Sequence, residues 1–150
     1  MRTFYTMESE ILDLVNGFNN QSLPLARWTH EAHLTVALWH LQHHTPDEAL
    51  CLLRSGIIVY NNQTGGENSP VKGYHETITV FWLKVIEHYL KRINTTDLLS
   101  ICNEFLNSDF ASKDLPLKFY SKELLFSTQA RAFLTEPDKN GEVEMAVSTR

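Results

Sequence analysis

Apolar residues recur at helical spacing along almost the whole chain. Ile11, Leu12, Leu14, Val15 and Phe18 mark one face of a helix expected over about residues 8–18. The stretch NNQSLPLA, with Pro24, interrupts the pattern. A second helix is expected after Thr29, a residue type that caps helix N-termini, and it runs to about His43. Its apolar positions, Leu34, Val36, Ala37, Leu38, Trp39 and Leu41, go nearly all the way round, so this helix belongs at the centre of the fold.

The next start is the clearest in the chain. Thr45 stands at the N-cap, Pro46 at the first helical position and Glu48 at the third, a complete capping box. The third helix then runs to about Asn62 and ends before Gly65-Gly66 and a polar loop reaching Lys72. A fourth helix is expected from near Tyr74 to about Lys91, with Tyr74, Ile78, Phe81, Val85 and Tyr89 as its stripe. The turn INTTD leads into a fifth helix over about residues 97–106. After the loop NSDFASKDLP come short helical pieces over about 117–126 and 128–134, for which Ser121 and Ser127 are caps. Only GIIVY, residues 56–60, reads equally as helix or strand. The pattern predicts an all-α fold, an irregular bundle of about five main helices with short helical pieces at its C-terminal end. Residues 1–135 are expected to form one domain, and 136–150 a polar tail, either mobile or an arm docked on a partner.

Composition narrows the function classes. A chain of 150 residues is one domain. The net charge of -5, with no run of Lys or Arg, argues against nucleic-acid binding, which needs a basic surface to displace counterions. No apolar stretch approaches the length that spans a bilayer, and the N-terminus MRTFYTMESE lacks the apolar segment of a signal peptide. Cys51 and Cys102 both fall in helical apolar segments and are expected as buried free thiols, which points to the cytoplasm.

Candidate chemistry lies in the histidines. RWTHEAHL places His30 and His33 three residues apart on adjacent helix surface, and GYHET places His75 and Glu76 at the start of the fourth helix. One reading is three satisfied core imidazoles. A second is a divalent metal (Zn, Fe or Mn) held by His30, His33 and His75, with Glu76 as a ligand or as the base that activates a bound water. Helix N-termini carry partial positive charge, which opposes a cation there. The same dipole favours a third reading, in which the imidazoles are neutral general bases beside an anion pocket completed by Arg27 or Arg131. His40, His43, His44 and His88 read as structural or surface residues, although His40 and His44 share a helix face at chelating distance.

Several stretches together resemble a family of uncharacterised bacterial helical proteins of about this length. They are Trp28-Thr29-His30-Glu31-Ala32-His33-Leu34, Tyr60-Asn61, Gly73-Tyr74-His75-Glu76-Thr77-Ile78-Thr79, Tyr120-Ser121 with Leu125 and Ser127, Ala130-Arg131 and Glu136-Pro137-Asp138. The resemblance covers residues 25–138 and implies a single helical domain; it carries no reaction with it. The chain departs from the family pattern at Phe133-Leu134-Thr135, where an aromatic residue commonly stands just before the x-E-P-D motif. The resemblance directs attention to Tyr60, Asn61, Tyr74, Tyr120 and Arg131 as substrate-binding candidates, beside His75 and Glu76 as catalytic ones.

The leading expectation is therefore a small-molecule enzyme or binding protein, with an anionic ligand among the candidates. Its pocket is built from His30, His33, His75 and Glu76 where the N-termini of the second and fourth helices meet. Three convergent imidazoles set the metal reading ahead of metal-free acid–base chemistry. The rival is an oligomeric interaction module with structural histidines, in which a second copy covers Trp39.

Overall fold

The computed structural model describes residues 1–141, and every regular element among them is helical. Helix α1 (Glu8–Asn19) starts where the Glu10 carboxylate turns back to accept the backbone N–H groups of Thr6 and Met7 at 2.8 and 3.0 Å. Helix α2 (His30–His43) starts at Thr29, whose hydroxyl accepts the Ala32 N–H at 3.1 Å. Helix α3 (Pro46–Gln63) carries both halves of the Thr45–Glu48 capping box, and GIIVY lies within it as helix. Helix α4 covers Glu76–Leu90 and α5 covers Leu98–Leu106, capped by Asp97. Two 3-10 turns, Asp109–Ala111 and Leu115–Lys118, fill the expected loop. The short helices α6 (Lys122–Leu125) and α7 (Thr128–Ala132) are capped by Ser121 and Ser127, as their sequence suggests. No helix among the described residues is long and apolar enough to cross a membrane.

Helix α2 sits at the centre because it has no polar side to expose. Ala32, Leu34, Thr35, Val36, Ala37, Leu38 and His40 are all buried, and α1, α3, α4 and α5 pack around it. Its most extensive neighbour is α4, the expected pair. Trp39 is half-buried and stacks on His43, with ring centroids 4.2 Å apart, so the helix covers part of this indole itself.

Two expectations change. Helix α4 begins two residues later than its apolar stripe suggests, because His75 is extended and serves as the N-cap. Cys51 is exposed while Cys102 is buried, and both are free thiols; burial pushes the Cys102 thiol up to about 12. The first part of the tail is tied to the body. The Asp138 carboxylate accepts both the backbone N–H and the hydroxyl of Ser121 at 2.7 Å, and Lys139 donates its backbone N–H to the Phe119 carbonyl at 2.9 Å. Residues 142–150 of that tail lie outside the described residues.

The crossing of α1 and α3 depends on a missing side chain. A Cβ at Gly56 would meet two ring carbons of Phe18 at 2.8 Å, and Phe18 is fully buried. Ala is favoured over Gly in a helix by about 1 kcal/mol, but overpacking a core costs about 1–3 kcal/mol. Gly56→Ala is therefore expected to lower stability despite its better helix propensity, and urea unfolding of the variant checks the sign.

Candidate functional site

One cavity of about 330 Å³ brings part of the histidine set together. Trp28, His30, His33, Leu34 and Ala37 line it from α2 and the turn before it, Leu53 and Ile57 from α3, and Ile78, Thr79 and Trp82 from α4. Lys113, from the loop between the 3-10 turns, completes the wall. The lining is mostly apolar, with a few polar groups, as is usual in small-molecule sites.

Both cavity imidazoles have one nitrogen fixed by the backbone. His33 Nδ1 lies 2.7 Å from the Thr29 carbonyl and His30 Nε2 lies 2.8 Å from the Ala111 carbonyl. A carbonyl only accepts, so these nitrogens carry the proton and the rings donate. In the neutral rings His33 Nε2 and His30 Nδ1 then keep their lone pairs, and neither has a hydrogen-bond partner among the described residues. His33 lies against the Trp28 indole at 3.7 Å between centroids, and Trp28 stacks in turn on Phe18 at 4.6 Å. Half-buried by surface area, His33 is nonetheless crowded by protein and opens onto the cavity. Burial, opposed by the Thr29 hydrogen bond and reinforced by nearby His30, pulls its pKa down to about 4. His33 is thus a neutral imidazole at pH 7.

His75 is elsewhere. It is buried at 7% exposure, and both its nitrogens are occupied by the backbone. Nε2–H donates to the Leu125 carbonyl at 2.6 Å, and Nδ1 accepts the Ile78 N–H at 3.1 Å as the cap of α4. Burial lowers its pKa, consistent with a neutral acceptor at Nδ1. Among the described residues no group of three His, Cys, Asp or Glu side chains is placed to hold a metal ion. The ligand set His30, His33 and His75 is therefore not assembled: a helix-capping imidazole has no nitrogen to give.

The other candidates also stand outside the cavity. Glu76 accepts from Arg54 through Nε and Nη2 and from the Tyr74 hydroxyl at 2.6 Å, and the Arg54 hydrogen bond holds its carboxyl below the usual range. It lines a second cleft with Arg54, Asn68, Tyr74 and Arg131. Arg131 donates from Nη1 to the Gly73 carbonyl at 2.8 Å, while its Nε is buried without a partner among the described residues. Tyr60 is fully buried and donates to the Leu23 carbonyl at 2.8 Å, behind the Trp28 wall. Asn61 donates to the Asn68 side chain, and Tyr120 donates to the Thr135 carbonyl at 2.7 Å.

The cavity residues that sequence reasoning passed over are Trp28, Trp82 and Lys113. Trp28 stood inside the RWTHEAHL motif, but Lys113 sits in a polar loop and gave no signal. In comparisons with protein-family models, curated proteins and solved structures, nothing matches this chain.

Two outcomes follow from these assignments. His75→Ala removes a cap, worth about 1 kcal/mol, and leaves the Leu125 carbonyl without its donor, for a total loss of about 2–4 kcal/mol in urea unfolding. His75→Asn recovers the cap and loses less. For His33, the unfolded imidazole titrates near ~6.5 and the folded one at about 4. Between those values the unfolded state binds more protons, so stability falls as pH drops through that window and levels off below it. NMR of the His33 ring is expected to give a midpoint near 4, and melts of His33→Gln a shallower acid slope.

Proposed function

We propose that this chain binds a small organic molecule in the α2–α3–α4 cavity, with His33 and His30 as its polar contacts and His33 as the proton acceptor. One observation carries the reading. Two imidazoles in the same apolar cavity each commit one nitrogen to a backbone carbonyl and keep the other without a partner among the described residues. The backbone bonds fix ring orientation and tautomer in advance, which lowers the ordering cost of binding. A base with a pKa of about 4 does not hold a proton at pH 7. It accepts a hydrogen bond from an O–H or N–H, and it takes the proton only as negative charge develops on the ligand beside it.

A divalent metal is the second reading, now on His30 and His33 alone. Two unpartnered ring nitrogens on neighbouring positions of one helix favour it, with the remaining positions left to ligand or water.

The test is a fragment screen read by NMR of the histidine rings, beside metal content by elemental mass spectrometry on untagged protein. Binding fragments are expected to move the His33 and His30 ring signals in the wild type. Loss of one acceptor weakens binding about tenfold in His33→Gln, and Ala37→Leu, which fills the cavity, abolishes it. A screen in which no fragment moves either ring would end the small-molecule reading. Near-stoichiometric metal, lost in both His30→Gln and His33→Gln, would replace it with the metal reading.

A further inference from the structure

The charge pattern of the cavity identifies a ligand class. This step rests on the small-molecule reading above and deepens it. We infer that the cavity takes a small organic acid, with a carboxylate at Lys113, an apolar body, and a hydroxyl or N–H donor at His30 and His33.

Charge comes first. Lys113 is the one Lys or Arg among the described lining residues, and no Asp or Glu is among them. Lys113 is exposed and forms no ion pair with any carboxylate among the described residues, its chain neighbour Asp114 included. A cationic ligand would meet the Lys113 ammonium with no carboxylate among the described lining residues to offset it. A carboxylate finds an ammonium whose charge is not already taken.

Orientation follows from the histidines. Their unpartnered nitrogens are acceptors in the neutral rings, and burial keeps His33 neutral at pH 7. Thr79 donates its hydroxyl proton to the His75 carbonyl at 2.8 Å, so it offers the cavity no donor. A carboxylate placed among these lone pairs would be repelled and would lose its water without compensation. A hydroxyl or N–H placed there is satisfied. The anion therefore belongs at Lys113 and the donor at His30 and His33.

Size and composition set the middle. A cavity of about 330 Å³ is at the low end of the ~300–1,000 Å³ typical of small-molecule sites. It suits a body of one or two rings. Leu34, Ile57, Ile78 and Trp82 give that body an apolar surround.

The loop that carries Lys113 is held to the site by the site itself. Ala111, two residues earlier, supplies the carbonyl that fixes His30. The same short segment therefore orients the His30 acceptor and presents the Lys113 ammonium.

Three matched probes test the inference by calorimetry and histidine-ring NMR: 4-hydroxyphenylacetate, its methyl ester, and phenylacetate. The wild type is compared with Lys113→Gln and Lys113→Glu. The hydroxy acid is expected to bind best and to move the His33 ring signals. An exposed ion pair is modest, so Lys113→Gln should weaken the acid about two- to fivefold, and Lys113→Glu more. The ester should be insensitive to Lys113→Gln, and added salt should weaken only the acids. Phenylacetate should bind more weakly than the hydroxy acid and leave the His33 ring signals nearly unmoved. If the ester binds the wild type as tightly as the acid, or Lys113→Gln leaves acid binding unchanged, the organic-acid inference fails and the small-molecule reading stands. If none of the three probes moves the ring signals, the organic-acid inference fails. If the wider fragment screen is silent as well, the small-molecule reading fails with it.

Discussion

A buried imidazole must find an acceptor for its N–H before it can do anything else, and much of this fold is arranged around that requirement. His33 and His40 solve it locally, donating to carbonyls four residues back in α2. His30 and His75 solve it at a distance, on the carbonyls of Ala111 and Leu125. The local bonds need only the helix. The distant ones draw the C-terminal third of the chain onto the start of α2 and the start of α4. An unpaired buried donor costs about 1–3 kcal/mol, so each such contact fixes a segment that has little regular structure of its own.

The outcome separates two groups of polar residues that share a chemical vocabulary. One group closes the fold. Glu76 joins Arg54 of α3 to Tyr74, Arg131 of α7 holds the carbonyls of Gly73 and Tyr74, and Thr77 donates to the Phe133 carbonyl while accepting the Thr135 N–H. Tyr120 and Ser121 then secure Thr135 and Asp138. These contacts form a clasp between the N-terminus of α4 and the last described residues. The other group, His30 and His33, meets its backbone partners with one nitrogen and still has a second left over. His75 spends both nitrogens on the backbone, whereas His30 and His33 spend one each and line the cavity.

Apolar surroundings then shape what the available imidazoles can do. Phe18, Trp28 and His33 form a continuous stack, with Tyr60 buried beside it. That crowding holds the His33 ring in place and makes its charged form costly, so rigidity and weak basicity have one cause. The Trp28 wall in turn depends on the close approach of α1 to Gly56 of α3. Packing several residues away thereby sets the electrostatics of the site.

The sequence by itself determined the elements. Periodicity and cap chemistry are local properties, so the starts of α2 and α3 at Thr29 and Thr45, the caps at Ser121 and Ser127, the all-α class and the central place of α2 could be read from neighbouring residues. The cavity's histidine pair was equally legible, because i, i+3 spacing on one helix fixes adjacency. Tertiary structure alone decided the partners. Nothing near His75 in sequence announces Leu125, fifty residues on, and nothing near Lys113 announces α2. The start of α4 was misplaced for the same reason: His75 leaves the helix to cap it, and its ring is held in that position by a carbonyl far along the chain. The roles of His30 and His75 depend on those distant carbonyls, and so the site could be named only once the chain was folded.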